Sequence, residues 1–265
     1  MGKVAKIHLP DECHRCTLRG AALCRAVAAS GLSGVRPARR WRYRRDDVVG
    51  GDGESGWVFG VLRSGFLRKE KLRPDGRRTL IGLACPGDLV SWQPETRPSY
   101  TLEAATDAEI CAFDRQTVAR MTAHDSRFQL FQVQEAYESH ERQLELIWRR
   151  GALTSRERII SFLVMATEFM PVEHCPDGSL IVTVELSRRD WADLSNTTVE
   201  TISRTLGHLA EKGLVTTVAP GRYRIRDLPL LTRLAGVEAE PDRTGIPVNA
   251  GLPAPPQSAP DTRSR

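Results

Sequence analysis

Three polar residues of different chemistry, Glu200, Ser203 and Arg204, lie within one short stretch of the chain. They stand at positions i, i+3 and i+4, so on a helix they share one face. An arginine can fork onto the O6 and N7 atoms of guanine, a glutamate can accept from the N4 amino group of cytosine, and a serine can serve an adjacent base. This set of donors and acceptors predicts a helix that contacts base edges in the major groove of DNA.

The opposite side of the same segment predicts a packing face. Its apolar residues recur at helical spacing: Val199, Ile202, Leu206 and Leu209. Thr197 or Thr198 can cap the start of this helix with a side-chain hydroxyl. The segment therefore has the pattern of a recognition helix, with one face toward DNA and the other toward a protein core.

The flanking segments predict the rest of a winged helix-turn-helix. Ser187 followed by Asp190 has the spacing of a capping box, and Trp191, Ala192 and Leu194 form the packing side of a first helix. Ser195 and Asn196 follow as the turn, because Asn tolerates a left-handed backbone. After Gly213, residues 214–218 and 223–226 surround a Pro-Gly turn and predict a two-stranded wing.

Charge supports a DNA partner only through its placement. The formal net charge is +5, but residues 151–236 contain as many acidic as basic side chains. What matters is that basic side chains flank the recognition helix, where phosphates would lie. Further predicted DNA contacts are Arg188, Arg189, Thr198 and Arg224. The basic run from Arg36 to Arg45 is interpreted as a solvated surface.

Over about residues 13 to 236, these segments resemble the CRP/FNR family of bacterial transcription regulators. The motif from Val199 to Arg204 is similar to the FNR branch, in which Glu, Ser and Arg recognise a TTGAT-type half-site. The resemblance passes those roles to Glu200, Ser203 and Arg204. It also implies double-stranded DNA and RNA polymerase as partners, a homodimer, and no enzymatic activity.

The chain departs from the family pattern within the turn. Ser195 and Thr197 occupy positions at which family members usually carry apolar residues. We therefore expect looser packing of the turn than is usual in the family.

Six cysteines are present, and Cys13, Cys16 and Cys24 form a short arm near the N-terminus. No apolar leader precedes them, and the longest apolar runs are far shorter than the roughly 20 residues that span a membrane. We expect a cytoplasmic protein with no membrane partner, in which clustered thiols bind metal or sense redox change. An iron–sulfur cube needs a fourth ligand. The candidates are Cys85, Cys111 and Cys175.

Cys111 lies in a strand-like stretch before a predicted helix and resembles the distant cluster ligand of FNR-type sensors. The arm spacing is similar to that of alphaproteobacterial members. The resemblance implies a [4Fe-4S] cluster on Cys13, Cys16, Cys24 and Cys111 that is intact without oxygen and lost with it. Two alternatives are a structural zinc site on the same thiolates and a disulfide-based thiol switch.

Between the arm and the helix-turn-helix, short strand candidates alternate with Gly, Pro and Asp turns, at residues 57–62, 65–68, 79–83 and 100–104. This pattern resembles the β-roll of the family, which binds a cyclic nucleotide in some members. The corresponding stretch has Gly87-Asp88 in place of Gly-Glu, and residues 96–99 lack the Arg-Ser/Thr-Ala sequence. A cyclic nucleotide is therefore an unlikely partner, although Arg97 leaves that alternative open.

One long helix is predicted from about Ser126 to Arg150, with Gly151 as its stop. Its apolar-leaning positions step by three and four: Leu130, Val133, Tyr137, His140, Leu144 and Ile147. This is a coiled-coil seam, and a two-fold dimer through it would present two recognition helices to a near-palindromic site. His140 is the polar member of the seam.

These observations predict an α+β fold with a cyclic-nucleotide-binding-like β-roll, a long dimerisation helix and a C-terminal winged helix-turn-helix. The predicted boundaries are a cysteine-rich arm at 1–30, a β-roll at 31–125, the helix at 126–150, the DNA-binding domain at 151–236 and a disordered tail at 237–265. The favoured function is a regulator whose iron–sulfur cluster couples oxygen to dimerisation and DNA binding. An iron–sulfur electron-transfer protein is the alternative from another class.

Overall fold

A computed structural model describes residues 16, 18, 21–29, 39–49, 57–76, 78–91 and 100–237. Cys13, residues 96–99 and nearly all of the predicted tail lie outside the described residues. Within the described ranges, no helix is both long enough and apolar enough to cross a membrane.

The described helices and strands follow the predicted order of a β-roll, a long helix and a winged helix-turn-helix. The β-roll region contains α1 (Ala22–Ala29), β1 (Arg39–Tyr43), β2 (Trp57–Ser64), β3 (Leu67–Leu72), β4 (Arg78–Ala84), β5 (Leu89–Ser91), β6 (Thr101–Ala104), β7 (Ala108–Asp114) and α2 (Arg115–His124). The long helix is α3 (Ser126–Ala152). The C-terminal domain contains α4 (Ser155–Phe169), β8 (Val172–His174), β9 (Leu180–Thr183), α5 (Arg188–Leu194), α6 (Val199–Glu211), β10 (Val215–Ala219), β11 (Arg222–Ile225) and α7 (Leu228–Leu234).

The β-roll consists of two antiparallel sheets, with strand orders β1-β7-β2-β5 and β4-β3-β6. Their facing apolar side chains, including Leu62, Leu67 and Ile110, are fully buried. A turn between β2 and β3 requires Gly65, whose φ is +76° and where an added Cβ would lie 2.1 Å from the Asp107 carbonyl oxygen. The strand predicted at 65–68 therefore begins two residues later, at Leu67.

The arginine-rich segment predicted to be a solvated surface contains a strand. Residues 39–43 form β1, which pairs with β7. The Arg42 Nε donates to a Glu109 carboxylate oxygen at 3.2 Å, and Arg63 of β2 pairs with the same carboxylate. This strand was not predicted, although Trp41 and Tyr43 alternate with the arginines and pack against the β-roll core. The acidic partner of these arginines, Glu109, lies on the neighbouring strand β7.

The long helix α3 begins at the side chain of Asp125, which accepts from the Arg127 backbone N–H. Its first turns pack against the β-roll, because Phe128 and Phe131 are buried and each meets the Phe59 ring edge-on at a centroid distance of 6.4 Å. Burying a phenylalanine stabilises a fold by roughly 1.5–3 kcal/mol. The prediction that Gly151 stops the helix is wrong, since the helix continues to Ala152.

A different feature ends the helix. Leu153 is the C-cap, and Thr154 then opens α4 with a full capping box to Glu157. Two consecutive helices are thus joined with almost no linker, so the orientation of the C-terminal domain is tied to the end of α3.

The C-terminal domain has its own core between α4, α5, α6 and a four-stranded sheet of order β10-β11-β9-β8. The predicted wing forms the β10–β11 hairpin, and β8 and β9 were not predicted. This core also contains Phe66 and Ala105 of the β-roll. Phe66 meets the Phe169 ring edge-on at 6.0 Å, so the two domains share an apolar contact.

Candidate nucleic-acid interface

The predicted recognition helix is present as α6. The Thr198 hydroxyl is the N-cap and accepts from the Thr201 backbone N–H at 3.2 Å, which selects Thr198 over Thr197. Ile202 and Leu209 are buried in the domain core. Val199 departs from the prediction, because it is 37% exposed and belongs to the first turn rather than to the packing face.

The three predicted base-contacting residues all lie on the exposed side of α6. The pKa of Glu200 is lowered by its own backbone N–H, by the Thr198 hydroxyl and by the positive charge of Arg204. A carboxylate at the first turn is also favoured by the helix dipole. The Ser203 hydroxyl donates to the Val199 carbonyl at 3.1 Å, so its oxygen can still accept from a base amino group, but it would have to break that bond to donate to a base.

The first helix of the motif, α5, begins at Ser187, whose hydroxyl accepts from the Asp190 backbone N–H at 3.0 Å. The predicted capping box is only partly realised. The Asp190 carboxylate accepts from the Ser187 hydroxyl at 2.6 Å and points toward the β-roll. Asn196 has a φ of 47°, as the turn prediction required.

Arg158 of α4 holds the turn in place, a role that the sequence pattern did not reveal. Its Nε donates to the Ser195 carbonyl at 2.7 Å, and its Nη1 donates to the Leu153 carbonyl at 2.5 Å. One guanidinium therefore satisfies carbonyls at the ends of both α3 and α5. The Ser195 hydroxyl is buried without a hydrogen-bond partner among the described residues. This hydroxyl occupies a position at which family members usually carry an apolar side chain.

Arg188, predicted to contact phosphate, is half-buried and stacked between two rings. Its guanidinium carbon lies 5.3 Å from the ring centroids of both Trp191 and Tyr223. These cation–π contacts give Arg188 a packing role within the domain. The contact with phosphate stays a prediction, and it fits the exposed neighbour Arg189 better.

Replacing Arg188 with alanine should lower the free energy of unfolding by about 1–2 kcal/mol, because both ring contacts and the packing of the side-chain stem are lost. Thermal or urea denaturation measures this. Arg189→Ala is the matched control, since Arg189 is exposed and should leave the unfolding midpoint nearly unchanged. Unchanged stability of Arg188→Ala with weaker binding to all DNA duplexes would instead support the phosphate role.

Arg224 lies on β11 and is also half-buried. Its Nη2 lies 3.9 Å from the Cys175 sulfur, at the limit of a weak hydrogen bond. Its neighbour on the wing, Arg222, pairs with Glu173 at 2.5 Å. The wing thus presents fewer unengaged cations than the sequence suggested, and the DNA contact of Arg224 stays a prediction.

The described cysteines of the arm lie near Cys111. Cys24 of α1 and Cys111 of β7 pack against the same apolar cluster, together with Phe128 of the long helix. Arg63 on β2 is hydrogen-bonded to Glu109 and to the Cys16 thiol, and both contacts raise its pKa. Burial raises the pKa of Cys111 to about 11, and the nearby Cys16 and Cys24 also raise it.

The other two cysteines lie elsewhere. Burial raises the pKa of Cys85 to about 12, and this thiol packs against the core of the C-terminal domain. Cys175 lies in the turn between β8 and β9 beside Arg224. Within the described ranges, no three His, Cys, Asp or Glu side chains are arranged to hold a metal ion. Cys13 lies outside those ranges.

The turn that would meet a cyclic nucleotide is described only in part. The Asp88 carboxylate accepts from the Cys85 backbone N–H at 2.8 Å, which closes the turn between β4 and β5. Gly87 has a φ of +99° in this turn. Residues 96–99 lie outside the described ranges. The expectation that a cyclic nucleotide is not a partner therefore stays a prediction.

Comparisons with known proteins agree with this architecture. Residues 157–234 match the Crp-like helix-turn-helix domain, and residues 40–125 match the cyclic nucleotide-binding domain. The chain is 30% identical over 213 residues to a probable transcriptional activator of Rhizobium leguminosarum bv. viciae, covering 78% of this chain and 85% of the relative. It is 28% identical over 208 residues to the nitrogen fixation regulation protein FixK of Azorhizobium caulinodans, covering 78% and 81%.

Among solved structures, the structure of FixK2 from Bradyrhizobium japonicum superposes with a TM-score of 0.66 at 23% identity, covering 75% of this chain and 98% of that chain. This likeness concerns the fold. The two domain matches and the curated relatives cover most of the chain, including the recognition helix and the β-roll. The protein belongs to the CRP/FNR family of DNA-binding transcription regulators.

Proposed function

We propose that this regulator holds a [4Fe-4S] cluster on Cys13, Cys16, Cys24 and Cys111, and that the cluster couples oxygen to dimerisation and to binding of TTGAT-type palindromic sites. The observation that carries the proposal is the position of the arm. Its helix α1 packs on the long helix α3, and its described cysteines, Cys16 and Cys24, lie beside Cys111 at the same junction.

The donor chemistry of the described residues fits such a group. The thiols of Cys16 and Cys24 lie close enough to Cys111 to raise its pKa, and the Arg63 guanidinium is hydrogen-bonded to Cys16. Among the described residues, neither Cys85 nor Cys175 is recorded with another cysteine beside it. When bound, the cluster would supply a centre that oxygen can degrade.

The protein's own residues could pass the state of the arm to the dimer helix. Leu23 and Val27 of α1 are buried against the cluster of side chains that includes Phe128 and Phe131 of α3. A change in the order of α1 would therefore change the packing around the first turns of α3. The apolar positions farther along α3 are exposed in the monomer: Leu130, Val133, Tyr137, Leu144, Ile147 and Trp148.

The exposed stripe supports the proposed homodimer. Val133, Tyr137 and Ile147 are each about two-thirds exposed, at 66%, 64% and 66%, and step along one side of the helix. Exposed apolar seams of this kind are typical of helix–helix interfaces. Two copies joined along α3 would present two recognition helices, as the major grooves of a near-palindromic site require.

The test of the proposed function combines anaerobic iron and acid-labile sulfide analysis with DNA retention before and after exposure to air. We expect iron, sulfide and a visible chromophore in the anaerobic protein, and loss of sequence-specific binding to a TTGAT palindrome after air. Zinc in place of iron would support the structural zinc site instead. A metal-free protein whose DNA binding responds only to thiol oxidants would support the thiol switch.

His140→Leu should strengthen the apo dimer, because an apolar side chain replaces an exposed polar one in the middle of the seam. Sedimentation equilibrium of the metal-free protein measures the monomer fraction. Glu138→Leu is the matched control, since Glu138 is exposed on the same helix but outside the seam and makes only a 3.9 Å surface pair with Arg142. Equal effects of the two substitutions would place His140 outside the interface.

A further inference from the structure

An ionic cluster lies where the β-roll meets the first helix of the helix-turn-helix. Its members, which we name the junction cluster, are Asp46, Arg68, Glu70, Arg78, Glu103, Asp190 and Asp193. Four of these residues line an open cleft of about 330 Å³ between the two domains: Asp46, Arg68, Arg78 and Asp190. None of these residues belongs to the DNA-facing side of α6.

Asp190 is the point at which the two domains join in this cluster. The Arg68 Nη1 and the Arg78 Nη2 each lie 3.1 Å from the Asp190 Oδ1. The side chains of Arg68 and Asp190 are only 5% and 1% exposed. The partners are 122 and 112 residues apart in sequence, so only the folded chain brings them together.

The same carboxylate is fixed to the start of α5. It accepts from the Ser187 hydroxyl at 2.6 Å, and the Ser187 hydroxyl in turn accepts from the Asp190 backbone N–H. Side chain and helix N-terminus therefore move as one unit. A displacement of either arginine would therefore shift the start of α5.

The orientation of α5 affects that of α6, because the two helices share one apolar core. Trp191 and Ala192 of α5 are buried in the same cluster as Ile202 and Leu206 of α6. Close-packed cores transmit displacement because they compress little. The β-roll thus reaches the recognition helix through Asp190 and α5.

The junction cluster contains more negative than positive side chains. Two guanidinium groups stand among five carboxylates in the junction cluster. Burial raises the pKa of Glu70 and of Asp193. A buried ion pair of this kind adds little net stability, but removal of one partner leaves an uncompensated buried charge. Its effect is therefore to favour one arrangement of the two domains over others.

We propose that Arg68 and Arg78 are positioning residues for DNA recognition, which hold α5 through Asp190 so that the β-roll fixes the placement of the recognition helix. In a dimer this brace would set the distance between the two recognition helices and so the spacing of half-sites that the protein accepts. The spacing part of the proposal rests on the proposed function, because it requires a dimer and a palindromic site.

The experiment compares full-length Arg68→Met, Asp190→Asn and their double variant with the wild type. Asp190→Asn keeps an acceptor for the Ser187 hydroxyl, so it removes the ionic contact and leaves the helix start intact. Arg73→Met is the matched control, since Arg73 lies on the β3–β4 hairpin, is 63% exposed and pairs only with Asp75 among the described residues. Arg78→Met, with a side chain that is 19% exposed, is the milder variant if Arg68→Met does not fold.

Two measurements are made on each variant. Hydrogen–deuterium exchange follows the amides of β4 and of the first turn of α5. DNA titration uses a TTGAT palindrome and duplexes with one base pair added to or removed from the spacer. In the wild type, either change of spacer should weaken binding.

In the brace variants we expect exchange at β4 and α5 to rise about tenfold. We also expect binding to the optimal duplex to weaken about tenfold, with a smaller penalty for the altered spacers. The double variant should be no worse than the poorer single variant, since the two residues share one contact. Arg73→Met should behave as wild type in both measurements.

Two results would overturn the proposal. One is unchanged exchange at β4 and α5 in the brace variants. The other is a spacing preference equal to that of the wild type in variants whose DNA affinity has fallen, which would indicate a merely structural role. Failure of the wild type to discriminate the palindrome would refute the TTGAT assignment, and the exchange measurement would still decide whether Arg68 and Asp190 couple the domains.

Discussion

Replacing Cys111 with serine should abolish the visible chromophore of the anaerobically purified protein. The side chain lies beside the arm cysteines Cys16 and Cys24, and its thiol is the one outside the arm that this junction brings near them. Serine keeps the size of the side chain but supplies a poor ligand for iron. The same loss is expected for Cys13→Ser, Cys16→Ser and Cys24→Ser, measured as iron and sulfide per chain.

The matched control is Cys85→Ser, because Cys85 is a half-buried thiol that packs against another core. Cys175→Ser serves as a second control, since Cys175 lies in the C-terminal domain beside Arg224. Both should retain the chromophore. Retention of the cluster in Cys111→Ser together with its loss in Cys85→Ser would refute the assignment of the fourth ligand.

Arg204→Ala should remove most of the discrimination between a TTGAT palindrome and the same duplex with G·C substitutions. Arg204 is exposed on α6, one turn from Glu200, whose carboxylate it helps to keep ionised. Loss of a bidentate base contact costs roughly 1–3 kcal/mol per half-site, and chiefly for the matched sequence. Titration of both duplexes at several salt concentrations measures the effect.

Arg189→Ala is the matched control, because Arg189 is exposed at the start of α5 but is not on the base-facing side of α6. Loss of a phosphate contact should weaken matched and random duplexes about equally and reduce the salt slope by about one unit. If Arg204→Ala weakens all sequences alike, α6 does not contact bases through Glu200, Ser203 and Arg204.

Where a signal lies within a few residues, the sequence determined the structure well. The two faces of α6 apart from Val199, a threonine cap and the left-handed turn at Asn196 follow from spacing and capping chemistry, and all are present. The structure selected Thr198 from the two threonines that could form the cap. Such features depend on interactions between near neighbours, which the order of residues specifies directly. The fold class and the family follow from the same local patterns in combination.

Two predictions differed from the structure, one because a local signal was overlooked and one because the partner lies far along the chain. Gly151 is a plausible helix stop by itself, but α3 continues to Ala152 and ends at Leu153, immediately before the Thr154 capping box. The basic segment with Arg42 does show strand alternation, since Trp41 and Tyr43 both pack against the β-roll core. Its pairing with β7 and its contact with Glu109 depend on residues far along the chain. The contact with Glu109 cannot be identified from the local sequence, whereas the Thr154–Glu157 capping box that follows α3 is a local signal.

The largest differences concern the roles of individual charges. The sequence predicts that Arg188 contacts DNA. In the folded domain its guanidinium lies against the rings of Trp191 and Tyr223. Asp190 reads as part of a capping box, yet its carboxylate also meets Arg68 from the β-roll. Local sequence sets the helix periodicity and caps, because those depend on near neighbours. Only the tertiary structure sets which charge meets which. The arginine partners of Asp190 lie more than a hundred residues away in sequence, and the contacts of both residues depend on burial that exists only after folding.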